Sequence, residues 1–149
     1  STIGHVKNSF DPYSIFRIPL FLYDPARPVY QNIVRPVQQT DIVPTVLDYL
    51  GYSKPFMSFG RSVYDSAYSP AVYNYQGLTH VVDSAYILGY NQKEERPAYL
   101  YGFRSDTALK QDLVNEQRFT AIREGLLQYN RAVIQRYNNS LIRNQLFIE

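Results

Sequence analysis

Residues 16–23 read Phe-Arg-Ile-Pro-Leu-Phe-Leu-Tyr, an almost unbroken apolar run that ends at the turn signal Asp24-Pro25. A short apolar run between turn signals is typical of a strand buried on both faces, as in a parallel sheet with helices on each side. Proline cannot donate to a neighbouring strand, so Pro19 moves the expected start of regular pairing to Leu20. The run therefore predicts an α/β fold with a buried strand over residues 20–23.

A helix is predicted beyond the proline-rich loop that follows this strand. Thr40 or Asp41 can cap its N-terminus. Pro44 falls in the first turn, where a proline is tolerated, and Gly51 stands where a left-handed C-cap belongs. Four apolar residues recur at the spacing of one helical face, namely Val43, Val46, Leu47 and Leu50. A face of this kind is the one that a helix normally turns towards a core.

The middle of the chain has the pattern of an antiparallel meander. Short strands are predicted at residues 72–75, 79–82, 85–88 and 98–103, with turns at Gln76-Gly77 and Asp83-Ser84 and with residues 89–91 ending the third strand. The many tyrosines suit half-buried strand faces, where the ring packs and the hydroxyl stays in water. Stacking on sugars or on nucleic-acid bases is the alternative use of the same rings.

A long helix is predicted in the last third of the chain. Its apolar stripe consists of Phe119, Ile122, Leu126, Tyr129, Val133, Tyr137 and Leu141. Five arginines lie mostly off this stripe, at positions 118, 123, 131, 136 and 143. We interpret them as a solvent-exposed face, on which the aliphatic parts of the arginine side chains cover apolar surface. A nucleic-acid surface is less favoured, because the chain as a whole is nearly balanced in charge.

Composition excludes several functional classes. The 149 residues are 45% hydrophobic and 19% charged, which is typical of a globular protein that can bury a sizeable core. The formal charge of +2 gives no electrostatic case for nucleic acid or an anionic membrane as the main partner. The absence of cysteine excludes disulfides, thiolate metal sites and cysteine nucleophiles. No apolar run reaches the roughly 18 residues of a membrane-spanning helix.

The two histidines, His5 and His80, are too few for a common zinc site without carboxylate ligands. His80 lies in a strand-like segment and is interpreted as a structural or surface histidine. The chain contains no HExxH, glycine-rich phosphate loop, GxSxG or calcium loop. The residues alone therefore indicate a mixed α/β protein without a self-contained active site.

Three segments resemble the C-terminal portion of the sulfatase family, in the alkaline phosphatase superfamily. They are residues 17–25 (Arg-Ile-Pro-Leu-Phe-Leu-Tyr-Asp-Pro), residues 37–52 (Val-Gln-Gln-Thr-Asp-Ile-Val-Pro-Thr-Val-Leu-Asp-Tyr-Leu-Gly-Tyr) and residues 58–64 (Ser-Phe-Gly-Arg-Ser-Val-Tyr). The last segment is similar to the lipoteichoic-acid-synthase-like, phosphoglycerol-transferase branch. The resemblance is specific over residues 17–60 and weaker beyond. It implies the C-terminal part of an alkaline-phosphatase-like α/β/α fold, with residues 1–60 in the catalytic core and residues 61–149 forming the meander and the final helix.

The resemblance implies a metal-dependent phosphoglycerol transferase, or a hydrolase of phosphate or sulfate esters. In that family a threonine or a formylglycine attacks the ester with the help of a divalent cation, Mn²⁺, Mg²⁺ or Ca²⁺. Its nucleophile and metal ligands precede the resembling portion, and its ligating Asp-His pair occurs nowhere in this sequence. We therefore expect no catalytic residue, metal ligand or bound cofactor in this chain, and no activity of the chain alone.

One residue is carried over as a candidate substrate contact. Gly4-His5 is similar to a family stretch in which a histidine contacts the sulfate, so His5 is assigned to substrate binding, with an ordinary loop histidine as the alternative. Asp41 and Thr45 fit the motif but are assigned structural roles, as a cap and as part of the helix interior.

Two functional hypotheses follow. The first is a piece of an extracytoplasmic, membrane-anchored enzyme, whose partners are the rest of its catalytic domain and the ester substrate, without nucleic acid. The second is a non-catalytic glycan-binding or partner-binding domain on the same scaffold. If the chain is such a piece and is studied alone, the strand at residues 20–23 lacks its neighbours and exposes an apolar edge, which predicts an oligomer of this chain, with exchange of elements between copies as one form.

Overall fold

The computed structural model describes residues 13, 16–26, 30–67 and 69–144, and it has the mixed α/β content that the sequence predicts. The helices are α1 (Ile42–Tyr49), directly after a 3-10 helix (Gln39–Asp41), and α2 (Thr120–Ile142), directly after another (Gln117–Phe119). The strands are β1 (Ala71–Tyr75), β2 (Leu78–Val82), β3 (Ile87–Asn91) and β4 (Arg96–Tyr101).

The four strands form one antiparallel sheet in the order β1-β2-β3-β4, which confirms the predicted meander. Gln76 and Gly77 both have positive φ, as a two-residue hairpin turn requires. β3 begins later than predicted because the Asp83 carboxylate accepts the backbone N–H groups of Ala85 and Tyr86, which holds these residues in a turn. It also continues through residues 89–91, which pair with β2.

Each face of the sheet is covered by its own cluster of apolar side chains. On one face Val81, Leu88 and Leu100 pack with Leu113 and with Leu126 and Leu127 of α2. On the other face the buried members are Ala71, Val82, Ile87 and Phe103. The first half of α2 is therefore a layer of the core, as its apolar stripe predicts, whereas Tyr137 and Leu141 near its end are about half exposed.

Each outer strand of the sheet makes a hydrogen bond to a side chain from outside the sheet. On β1, the N–H of Val72 donates to Gln38 Oε1 at 3.0 Å. On β4, the N–H of Leu100 donates to Asp112 Oδ1 at 3.0 Å, and the carbonyl of Leu100 accepts the N–H of Leu113. Unpaired edge strands recruit other strands, so these contacts protect the meander from pairing with another chain.

The structure differs from the sequence-based prediction at residues 20–23, which form no strand. A strand needs a neighbour to pair with, and no other described segment pairs with these residues. Helix α1 is confirmed, including the positive φ of Gly51 after its end. Its orientation is not the expected one, because Pro44 and Thr45 are buried while Val43, Val46 and Leu50 are exposed.

Candidate functional site

The polar residues of the motif at the start of α1 are held by hydrogen bonds within the chain. The Asp41 carboxylate accepts the N–H of Gln38 and the N–H of Arg61, both at 2.9 Å. The hydroxyl of Thr45, a fully buried residue, donates to the carbonyl of Asp41 at 2.5 Å and accepts the N–H of Val63 at 3.0 Å. Asp41 and Thr45 therefore join α1 to residues 61–63. Asp41 does so without the predicted side-chain cap on α1.

Residues 58–65 lie directly against the start of α1. A Cβ atom on Gly60 would fall 2.1 Å from the carbonyl oxygen of Thr40, so only glycine fits without a shift of the backbone. From the other side, the Arg35 guanidinium donates to the carbonyls of Val63 and Asp65 at 2.7 and 2.9 Å. Residues 35–45 and 58–65 thus form one interlocked unit.

The second half of α2 extends to this unit. Arg136 Nη2 donates to the carbonyl of Ser58 at 2.9 Å, and its guanidinium lies over the ring of Phe59. The rings of Phe59 and Tyr137 are 5.4 Å apart. The part of α2 beyond the core of the sheet therefore braces the loop that carries Gly60.

The most unusual feature is a set of exposed apolar side chains in two neighbouring parts of the sequence. They are Ile18, Leu20, Phe21, Leu22 and Tyr23, and Val43, Val46 and Leu50 of α1. Phe21 and Tyr23 are 84% and 88% exposed, and Leu50 is 71% exposed. The two parts are linked, because the Tyr49 hydroxyl donates to the Asp24 carboxylate. Large exposed apolar patches usually mark a surface that another molecule or segment covers. We call this set the apolar surface.

Three aromatic residues and one glycine lie side by side across the four strands of the sheet. Tyr73, His80, Gly89 and Tyr99 are successive cross-strand partners. The Tyr73 and His80 rings are stacked at 4.7 Å, and the Tyr99 ring occupies the space where a Cβ on Gly89 would lie. Burial lowers the pKa of His80 to about 4, although backbone groups of Tyr73 and Leu78 oppose this shift. Burial likewise raises the pKa of Tyr99. A neutral, fully buried imidazole supports the structural interpretation of His80.

The candidate substrate contact His5 lies outside the described residues. Within the described ranges, no three His, Cys, Asp or Glu side chains come close enough together to hold a metal ion. In the same part of the chain, no helix has both the length and the apolarity needed to cross a bilayer.

The contacts of Arg35 and Gln38 were missed by sequence reasoning because their partners lie about 30 residues away in the chain.

No protein-family model matches this chain, and a search of curated proteins returns no match. The arrangement of its own residues is therefore the basis for a functional proposal. That arrangement has three parts. They are the interlocked unit of α1 and residues 58–65, the four-stranded meander, and the apolar surface.

Proposed function

We propose that this chain is the C-terminal part of a metal-dependent, sulfatase-like enzyme, a phosphoglycerol transferase or a hydrolase of phosphate or sulfate esters, with an alkaline-phosphatase-like α/β/α fold. The observation that carries the proposal is the apolar surface. It is formed by an extended apolar run and by the helix after it, which are the same residues that resemble the catalytic core of that family. These two segments are the expected pieces of an α/β layer whose other strands lie elsewhere in the protein.

In this proposal the chain supplies scaffold rather than chemistry. The nucleophile and the ligands of the divalent cation, Mn²⁺, Mg²⁺ or Ca²⁺, belong to the rest of the catalytic domain, which is also the main partner of this chain. The cation would neutralise charge on the ester oxygens and activate the nucleophile. His5 is the one substrate contact that the chain is proposed to contribute. The enzyme is proposed to be membrane-anchored, with this domain outside the cytoplasm.

The test is ester turnover by the natural gene product that contains this sequence, beside the 149-residue chain alone. Both are assayed with p-nitrophenyl phosphate, p-nitrophenyl sulfate and fluorescent phosphatidylglycerol, first after EDTA treatment and then after reloading with each cation. We expect the natural product to turn over at least one ester only when reloaded, and the chain alone to be inactive. A natural product that turns over none of the three esters with any of the three cations would overturn the proposal.

The alternative, a glycan-binding or partner-binding domain, would use the tyrosines of the sheet. Several of these rings are covered within the chain, which leaves less of their surface for stacking on a sugar. Phe16 packs against Tyr73 and Tyr75, with ring centroids 4.4 and 5.3 Å apart, and Tyr99 is buried. The covered rings favour the enzyme proposal.

A further inference from the structure

A stack of three rings joins the segment before the exposed run at residues 18–23 to the sheet. Phe16 packs against Tyr73 of β1, with ring centroids 4.4 Å apart. Tyr73 is stacked in turn on His80 of β2 at 4.7 Å, with the two ring planes 9° from parallel. Phe16 also lies 5.3 Å from the ring of Tyr75, which is on the same face of β1. On this side His80 is therefore covered by two rings of an outer strand and by one ring from outside the sheet.

The two sides of His80 differ in how firmly they are held. On the side of β4, the buried Tyr99 ring lies 5.9 Å from His80 and fills the space above Gly89. On the side of β1, Phe16 is 42% exposed, and within the described residues its backbone makes no hydrogen bond to the sheet. Movement of Phe16 and Tyr73 is therefore the opening that lets water reach the imidazole with the loss of fewest contacts.

His80 is enclosed without a partner that would stabilise a charge. It is 0% exposed, and neither ring nitrogen makes a hydrogen bond of good geometry to any described residue. Burial disfavours the imidazolium and lowers the pKa to about 4, and backbone groups of Tyr73 and Leu78 offset only part of this effect. Both nitrogens of an imidazolium are donors, so the charged ring needs acceptors that the described residues of the closed stack do not supply.

The other titratable groups of this cluster change charge mainly outside the range in which histidine titrates. They are Tyr73 and Tyr75 on β1, Tyr99 and Tyr101 on β4, Asp106 and Asp112 towards Tyr101, and Arg17 next to Phe16. Tyrosine hydroxyls titrate near pH 10 in water and carboxyl groups near pH 4. Burial raises the pKa of Tyr99 and of Tyr101 further. The causes that shift the pKa of His80 are burial and backbone groups, and no charged side chain is among them.

We propose that the stack of Phe16, Tyr73 and His80 is an acid-sensitive latch. Proton uptake by His80 releases the Phe16 ring from Tyr73, and with it the start of the exposed run at residues 18–23, while the four-stranded sheet stays paired. The latch is independent of the proposed function, because it needs neither a metal ion nor another part of the protein.

The direction and size of the effect follow from the two forms of the stack. In the open form His80 reaches water, where a histidine has a pKa of about 6.5, whereas its pKa in the closed form is about 4. The open form therefore binds the proton more tightly and gains population as the pH falls through this interval. With these values the ratio of open to closed molecules rises roughly 50-fold between pH 7 and pH 4.5. Above pH 7 both forms are neutral, so the ratio no longer depends on the titration of His80.

Cleavage by a papain-type protease reports the release of Phe16. Such a protease cuts after an arginine when the apolar side chain before that arginine enters a pocket of the protease, so cleavage between Arg17 and Ile18 requires a free Phe16 ring. The rate follows the population of the open form when opening and closing are fast. It is measured on the 149-residue chain from pH 7 to pH 4.5 and divided by the rate for a peptide of residues 13–23, which removes the pH dependence of the protease itself. We expect this ratio to rise roughly 50-fold, with an unchanged circular dichroism spectrum.

Variants of the two histidines separate the latch from other effects of acid. His80→Phe keeps an aromatic ring beside Tyr73 and cannot bind a proton, so its cleavage ratio should stay nearly constant with pH. His80→Gln serves the same purpose if the phenyl ring does not fit. His5→Gln removes the other histidine of the chain and should behave as the wild type. A constant ratio in the wild type, an equal rise in the variants of His80, or loss of the circular dichroism signal at the pH where cleavage begins would overturn the latch.

Discussion

Thr45 shows how one buried hydroxyl connects two distant parts of the chain. It donates to the carbonyl of Asp41 within its own helix and accepts the N–H of Val63, 18 residues further on. A helix-interior threonine often bonds only to the preceding turn. Here the second bond fixes the segment that carries Gly60 and Arg61 against α1. The motif residues therefore stabilise the fold rather than provide reactive groups.

Thr45→Val keeps the shape of the side chain and removes both bonds, which leaves the N–H of Val63 without its acceptor. Losing a buried partner of this kind costs about 1–3 kcal/mol. We expect the free energy of unfolding to fall by this amount in urea denaturation. Thr107→Val, at an exposed position, is the control and should change it by less than about 0.5 kcal/mol. Equal effects of the two substitutions would show that the Thr45 bonds do not stabilise the chain.

His80 makes stability depend on pH. The folded protein holds its pKa at about 4, below the 6.5 of an unperturbed histidine. Between these values the unfolded chain binds more protons than the folded one, so stability is lost as the pH falls from about 6.5 towards 4. The full loss is on the order of 3 kcal/mol, at about 1.4 kcal/mol for each pKa unit.

Urea denaturation of the wild type and of His80→Phe across this pH range measures the effect. The variant keeps an aromatic ring beside Tyr73 and cannot take up a proton, so its stability should fall less steeply with decreasing pH. Carboxylates contribute equally to both proteins and cancel in the comparison. His80→Gln, which also does not titrate, gives a second measurement of how the free energy of unfolding changes with pH, in case the phenyl ring does not fit. Parallel pH profiles for the wild type and both variants would exclude His80 as the cause.

At the scale of elements, local signals in the sequence located α1, α2 and the four strands of the meander to within a few residues, but they also predicted a strand at residues 20–23 that the structure does not form. The Gln76-Gly77 turn placed the first hairpin, and Gly51 placed the end of α1. What local patterns cannot give is the partner of each face. The apolar face of α1 could be identified from the sequence. Which residues pack against that face could not. The hydrogen bond from the N–H of Arg61 to the Asp41 carboxylate could not be predicted either, because it joins residues 20 positions apart in the chain.

Asn130 is a second case in which periodicity was insufficient. It lies on the buried side of α2, one turn after Leu126, and it is almost completely buried. Neither polar atom of its side chain has a hydrogen-bond partner among the described residues. The spacing of apolar residues predicted the buried position of Leu126, yet it gave no sign that a polar residue would be enclosed beside it.

Two glycines in different elements should respond oppositely to alanine. Gly125 lies on the exposed side of α2, and a Cβ atom added there would have no neighbouring atom within 4 Å. Gly125→Ala should therefore stabilise the chain by up to about 1 kcal/mol through helix propensity. Gly60→Ala should destabilise it, because the new methyl group would overlap the Thr40 carbonyl. Thermal unfolding of both variants measures the difference. A melting temperature for Gly60→Ala at or above that of the wild type would contradict the close approach.

At the scale of the whole molecule, the chain combines a well-closed meander with an open apolar surface. Each outer strand of the meander makes a hydrogen bond to a side chain, and an apolar cluster lies on each of its faces, whereas residues 18–23 and one side of α1 expose large apolar side chains. The hydrogen bond from the N–H of Val72 in β1 to Gln38 joins the meander to the segment that leads into α1. The exposed region therefore lies next to a well-packed part of the chain.

When the chain is studied alone, only other copies can cover the apolar surface, so we expect it to self-associate. Light scattering coupled to size-exclusion chromatography should show an average mass that rises with concentration. Phe21→Lys combined with Leu50→Lys should lower that mass towards one chain, because both residues are more than 70% exposed and a buried lysine charge opposes association. Ile142→Lys, at an equally exposed apolar position on α2, is the control and should leave association unchanged. A clean monomer at high concentration would contradict the prediction, and loss of association in the control alone would move the contact to α2.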